Sequence, residues 1–195
     1  IRTLELLSVL DMLCLVILIV IQTLAAMKMS VLNKLLEQRA YTDAHTGLPN
    51  KDACEVLLNN KETVAKHTAC MMFDLNNLKI INDTKGHSKG DQLILNFARL
   101  LRNVIPQKDF VGRYGGDEFM VVIYNTSKTE IEDILKQLSR EKDRLNSSGN
   151  NMPIDYACGW AISDADSECT IQMLLDKADY YMYENKQAYK KSKKS

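Results

Sequence analysis

The stretch Phe110-Val111-Gly112-Arg113-Tyr114-Gly115-Gly116-Asp117-Glu118-Phe119-Met120-Val121-Val122-Ile123-Tyr124 decides the fold. Two short runs rich in β-branched and aromatic residues, 110–114 and 119–124, read as strands. Between them stands Gly115-Gly116, a dipeptide suited to a tight hairpin with positive φ, so the two strands are expected to be antiparallel neighbours. Upstream, residues 68–73 form a nearly continuous apolar run ending at Asp74, the pattern of a central strand covered on both faces. Between that run and the hairpin, Leu93, Ile94, Phe97, Ala98, Leu101 and Ile105 repeat at three and four, which predicts a helix after Ser88. Downstream, Ser127 and Glu130 make a capping-box pattern ahead of Ile131, Ile134, Leu135 and Leu138. Ile154, Tyr156, Cys158, Trp160 and Ile162 alternate with small or polar residues as a further strand. Ile171, Leu174, Leu175, Ala178, Tyr181 and Met182 then give a last helix.

The resulting order is β-α-β-β-α-β with a closing helix. It is the split βαβ, ferredoxin-like arrangement of the α+β class, an antiparallel-rich sheet flanked by helices. A turn-forming cluster at 41–51 marks where the globular domain begins. Ahead of it lies a different kind of sequence. From Leu6 to Met27 the only charge is Asp11, and 22 helical residues span about 33 Å, enough for a bilayer core. Residues 1–27 are therefore expected to form a transmembrane helix; the competing reading is a buried or coiled-coil helix, which Asp11 and Gln22 keep open. Residues 28–41, with Val31, Leu32, Leu35 and Leu36 among polar side chains, predict an amphipathic linker helix able to pair with a copy of itself. Lys28, Lys34 and Arg39 follow the apolar run and only Arg2 precedes it, so the domain is expected on the cytoplasmic side of the inner membrane. Five widely spaced cysteines match neither a zinc pattern nor a disulfide framework, which agrees with a reducing compartment. The sequence opens on Ile1 rather than methionine, as expected of a piece of a longer chain.

Formal net charge is zero, from 25 basic and 25 acidic residues. It is unevenly spread. Residues 41–183 carry 16 basic and 21 acidic side chains, while lysines crowd a tail at 191–195 that is expected to be solvated. So acidic a body is a poor nucleic-acid binder. It can handle a phosphate-rich ligand if cations bridge the two. Asp74, Asp117 and Glu118 are candidates to meet at one edge of the sheet, where hard oxygen ligands suit Mg²⁺ or Mn²⁺. Gly115 and Gly116 would let a phosphate approach the backbone.

Arg113 to Phe119 reads RYGGDEF, and this resembles the GGDEF family of diguanylate cyclases. The resemblance extends to Thr42-Asp43 with Thr46-Gly47-Leu48-Pro49-Asn50, and to Asp74-Leu75-Asn76-Asn77-Leu78-Lys79 with Asn82-Asp83, Gly86-His87 and Gly90-Asp91. It closes with Ala178-Asp179, Met182-Tyr183 and Lys186, and so covers about residues 41–190 in the family's order and spacing. It implies a nucleotidyl-cyclase-like palm at 42–190 and condensation of two GTP into cyclic di-GMP and two pyrophosphates. Each 3′-hydroxyl attacks the other nucleotide's α-phosphate, so a homodimer is required. By the same resemblance Asp74, the carbonyl of Leu75 and Asp117 hold two metal ions per site. Asp117 and Glu118 are candidates to help deprotonate the hydroxyl, and the letters do not assign the base between them. Asn82, His87 and Asp91 match substrate-binding positions, with Asp91 accepting from the guanine N1–H and amino groups that adenine lacks. Lys186, with Lys79 and Lys190, would neutralise the triphosphate. Read without the resemblance, Asn82 and Asp83 are equally a turn, and His87 a helix-start residue.

Three departures qualify the resemblance. His45 stands where the family usually has Leu, and Lys51 where it usually has Arg. In the product-inhibition window RxxD this chain has Pro106-Gln107-Lys108-Asp109, so feedback by cyclic di-GMP is expected to be weak. No phosphodiesterase signature is apparent in residues 1–195. The other functional class the sequence allows is a non-catalytic GTP-binding module that signals through protein contacts.

Overall fold

A computed structural model describes residues 2–60, 64, 67–149, 152–163 and 169–192; residues 193–195 of the basic tail lie outside the described residues. The chain divides into two compact units, Ile1–Ala40 and Tyr41–Ser195. The first unit is almost all of one continuous helix, α1 (Arg2–Tyr41), whose apolar side chains from Met12 onward are exposed. It is long and apolar enough to cross a membrane, by length and composition.

The second unit contains α2 (Lys51–Leu58), β1 (Ala69–Leu75), α3 (Leu78–Lys85), α4 (His87–Val104), β2 (Phe110–Arg113), β3 (Glu118–Ile123), α5 (Lys128–Ser147), β4 (Tyr156–Ile162) and α6 (Ile171–Ser192). The four strands run in the order β2-β3-β1-β4, with every neighbouring pair antiparallel. Insertion of β3 between β1 and β2 is the split βαβ arrangement that the alternation of periodicities predicts.

Every residue of β1 is buried, because the sheet is covered on both faces. On one face Met71, Phe73, Phe119 and Val121 meet Leu93, Phe97 and Leu101 of α4. Phe97 lies edge-on to Phe119 and near Phe73 and Tyr156, at ring-centroid distances of 5.0 to 5.8 Å, a favourable aromatic geometry. On the other face Cys70, Met72, Met120 and Val122 meet Leu174, Ala178 and Met182 of α6 and Cys54 of α2.

β4 shows why its small residues matter. Ala157, Gly159 and Ala161 are the buried set, and the large residues between them are half-buried. A Cβ on Gly159 would collide with the carbonyl oxygen of Ala178, the nitrogen of Met182 and, at 2.8 Å, the carbonyl carbon of Tyr181. The strand's small-residue face is thus the bed on which α6 lies, a close approach that only a missing side chain permits.

Three local features differ from the sequence expectations. α2 starts where a turn cluster is read, because the Asn50 side chain accepts a hydrogen bond from Ala53 N and caps the helix. α3 occupies residues that read equally as a turn; Asn77 enters it at φ 63°, a left-handed conformation that Asn tolerates. The hairpin tip is longer than two residues, since β2 ends at Arg113 and β3 begins at Glu118. Neither Gly115 nor Gly116 has the positive φ expected of them. The α5 capping box is present in full.

Candidate active site

β1 carries Asp74 to the end of the sheet, where it stands in register with Glu118 of β3 on one side and Ala157 of β4 on the other. The hairpin is held against it by main-chain bonds. Leu75 N donates to Asp117 O at 2.9 Å, and Tyr114 N and Gly115 N both donate to Glu118 O at 2.9 and 3.1 Å. Asp74, Leu75, Gly115, Gly116, Asp117 and Glu118 are therefore brought together at one end of β1 and β3.

Asp74 is 6% exposed. Lys186 reaches it from α6, Nζ donating to Oδ2 at 2.6 Å, and Oδ1 is buried with no hydrogen-bond partner among the described residues. Such a carboxylate retains acceptor capacity for a ligand. Burial, and then the negative charges of Asp117, Asp74 and Asp179, push the Glu118 carboxyl above its ordinary 4.5, with Lys186 opposing. The end of the sheet is thus short of positive charge. Among the described residues no three His, Cys, Asp or Glu side chains stand close enough to hold a metal ion by themselves. Mg²⁺ characteristically takes one or two protein carboxylates and completes its shell with water and substrate phosphates. An orphaned Asp74 oxygen beside a crowd of carboxylates fits that mode.

Asn82 lies in α3 with its Oδ1 buried and unpartnered, and that oxygen packs so tightly on α4 that a Cβ at Gly90 would overlap it. A side chain at 90 would therefore displace the Asn82 amide from its present position, a contact that the sequence leaves unstated. Asp91 and His87 are one turn apart on α4 and exposed. Lys190 is one turn beyond Lys186 and exposed as well. Lys79 is also exposed, at the start of α3.

Several supporting contacts have partners that the sequence does not name, although an Arg beside a hairpin, such as Arg113, is more often a structural ion-pair partner than a phosphate ligand. Arg113 Nη1 contacts both oxygens of Asp43 at 3.2 Å, and its Nη2 donates to Gly116 O at 2.8 Å. Burial alone would raise the Asp43 pKa, but bonds from Thr46 and the Arg113 charge hold it below its ordinary 3.8. Arg113 thus ties the turn after α1 to the glycine tip. The ring nitrogen Nε2 of His45 lies 2.9 Å from Asp91 O. On α6, Asn185 donates to Cys158 O at 2.7 Å and the Tyr189 hydroxyl to Asp155. For Asn185 and Tyr189 the only available signal is their i, i+4 spacing on one face of α6.

The profile of the family described as "Diguanylate cyclase, GGDEF domain" matches residues 40–192. The chain belongs to the GGDEF domain family. Among its relatives, Signaling protein YkoW of Bacillus subtilis (strain 168) is 31% identical over 164 residues, covering 80% of this chain and 20% of that protein. Diguanylate cyclase DgcP of Escherichia coli (strain K12) is 30% identical, covering 82% of this chain and 48% of DgcP. Cyclic di-GMP phosphodiesterase PdeB of Shewanella oneidensis is 32% identical, over 74% of this chain and 17% of PdeB. The GGDEF chain thus spans from under a fifth to about half the length of these relatives. Among solved structures, the GGDEF domain of DgcB from Caulobacter crescentus, in complex with c-di-GMP, superposes with a TM-score of 0.65 at 25% identity, covering 76% of this chain and 89% of that one. The GGDEF fold with a four-stranded antiparallel sheet and a long N-terminal helix is thereby established.

Proposed function

We propose that this GGDEF domain is an active diguanylate cyclase that joins two GTP molecules into cyclic di-GMP, with release of two pyrophosphates, across a homodimer. The observation that carries the reading is the Asp74–Lys186 pair beside Glu118. A buried carboxylate with one oxygen unpartnered among the described residues and a lysine ammonium 2.6 Å from the other can separate to serve a metal ion and a phosphate.

In this reading Asp74, the Leu75 carbonyl and Asp117 hold divalent ions, Mg²⁺ or Mn²⁺. When bound, these supply charge neutralisation for the triphosphate and acidify the attacking hydroxyl. Gly115 and Gly116 admit phosphate close to the backbone; a Cβ on Gly116 would meet nothing within 4 Å, so that side of the hairpin is open. Lys186 shifts its charge to the phosphates, with Lys79 and Lys190 adding to the local positive field. Asn82 and Asp91 accept from the guanine, and His87 stands on the Asp91 face of α4. Glu118, whose carboxyl already binds a proton more readily than usual, is suited to receive the hydroxyl proton. Asp117 is the other candidate. The α1 helix is the membrane anchor and dimer contact, with the catalytic unit in the cytoplasm.

The test is incubation of the full chain in detergent with GTP and Mg²⁺ and detection of cyclic di-GMP. Product is expected from the parent and not from Asp117→Ala or Asp74→Ala. A folded dimer that binds GTP yet forms no product refutes the cyclase and supports a signalling module.

A further inference from the structure

β4 is the outermost strand of the sheet, paired with β1 on one side. Its free side can be read from the bonds at its two ends. Ser163 N donates to Thr68 O at 2.8 Å, and Asn76 N donates to Asp155 O at 2.9 Å, so odd-numbered residues of this segment turn their main-chain groups toward β1. In an antiparallel ladder the alternate residues turn theirs away. Those are Tyr156, Cys158, Trp160 and Ile162. Asn185 donates to Cys158 O. Among the described residues nothing meets the outward N–H and C=O of Trp160 or the N–H of Ile162.

A groove of about 540 Å³ runs along residues 159–162 at this edge. Lys128 at the start of α5 and Lys177 of α6 line it, with Tyr181 providing an exposed aromatic wall. Neither lysine has an ion-pair partner among the described residues.

We propose that this edge takes up an extended, acidic segment of a partner protein as a fifth strand. The guest strand pairs with the main chain of Trp160 and Ile162, and its carboxylates meet Lys128 and Lys177. Main-chain pairing supplies affinity in this mode, and flanking side chains supply selectivity. Lysines beside an open edge repel basic strands and disfavour neutral ones, which would desolvate the ammonium groups without pairing them, yet attract a strand of opposite charge. They also disfavour a second copy of this chain, because pairing through β4 would bring the lysines of both copies to one seam.

Trp160 is the only tryptophan in the sequence, so its fluorescence reports the edge alone. The full chain in detergent is titrated with a short Trp- and Tyr-free peptide alternating valine with glutamate, and separately with the same peptide carrying lysine in place of glutamate. The acidic probe is expected to change Trp160 emission saturably, with a dissociation constant on the order of 10⁻⁴ M, and the basic probe is not. Lys128→Glu with Lys177→Glu should weaken the acidic probe about tenfold and admit the basic one. Ile162→Pro removes an outward N–H without touching the β1 ladder, and should also weaken binding. Equal response to both probes, no response to the acidic one, or unchanged binding in the charge-reversed chain overturns the proposal. Unchanged emission combined with a fold intact by circular dichroism shows an edge that is guarded and nothing more.

Discussion

Replacing Gly159 by alanine tests how closely α6 must lie on the sheet to serve the site. The new Cβ falls 2.8 Å from the Tyr181 carbonyl carbon and closer still to Ala178 O and Met182 N, all of them backbone that cannot swing aside. Restoring ordinary contact requires α6 to retreat on the order of 1 Å, and core overpacking of this kind costs about 1–3 kcal/mol. The upper end applies here, because all three opposing groups are main chain. A domain of this size loses roughly 2–4 °C of melting temperature per kcal/mol, so a fall of about 6–12 °C is expected by thermal circular dichroism. The same retreat withdraws Lys186 from Asp74 and Asn185 from Cys158, which lie farther along the helix. Cyclic di-GMP formation should therefore fall more steeply than the folded fraction at the assay temperature. A variant with an unchanged melting temperature and full turnover refutes the close docking of α6 as the device that places Lys186.

Gly116→Ala, by contrast, meets no atom within 4 Å and has no positive φ to strain, so stability should stay within about 0.5 kcal/mol. Turnover should nevertheless drop, with the loss in KM for GTP, if phosphate approaches the hairpin backbone. Lys186→Met leaves the Asp74 carboxylate buried and unpaired, and losing one partner of a buried pair costs about 3–5 kcal/mol. Added Mg²⁺ should raise the melting temperature of that variant more than that of the parent, and chelation should reverse the gain. Asp43→Asn removes a carboxylate whose pKa is lowered in the fold, so the stability at stake is present above its ordinary 3.8 and drains as pH falls through the lower native value. Urea unfolding should show the variant weaker at neutral pH and converging with the parent in acid; a pH-independent gap would contradict the ionic role of Asp43.

The local elements were largely legible because their periodicities follow from solvent on one face and core on the other. The unbroken apolar run of β1 announced a strand covered twice, and the Ser127–Glu130 spacing announced a capped helix. The short helices α2 and α3 escaped, since eight residues give barely two turns of pattern, the turn-former Asn50 caps α2, and Asn82 and Asp83 lie inside α3. Candidate site residues are marked out by the order and spacing of motifs, but their contacts are not. Asn82 gives no hint that its amide packs against Gly90, and Arg113 gives none that its partner lies 70 residues upstream.

The sequence by itself determined the α+β alternation, the long apolar leading helix, the acidic body and the collection of carboxylates, glycines and lysines that suits a metal-bridged nucleotide. Folding in three dimensions decided which of them meet: Lys186 with an aspartate 112 positions away, α6 on a strand face of small residues, and β4 at an edge of the sheet. The reason is physical. Burial patterns are written along the chain at the spacing of a helix turn or a strand pleat, whereas packing distance and charge pairing arise between segments whose separation in sequence carries no trace of their separation in space.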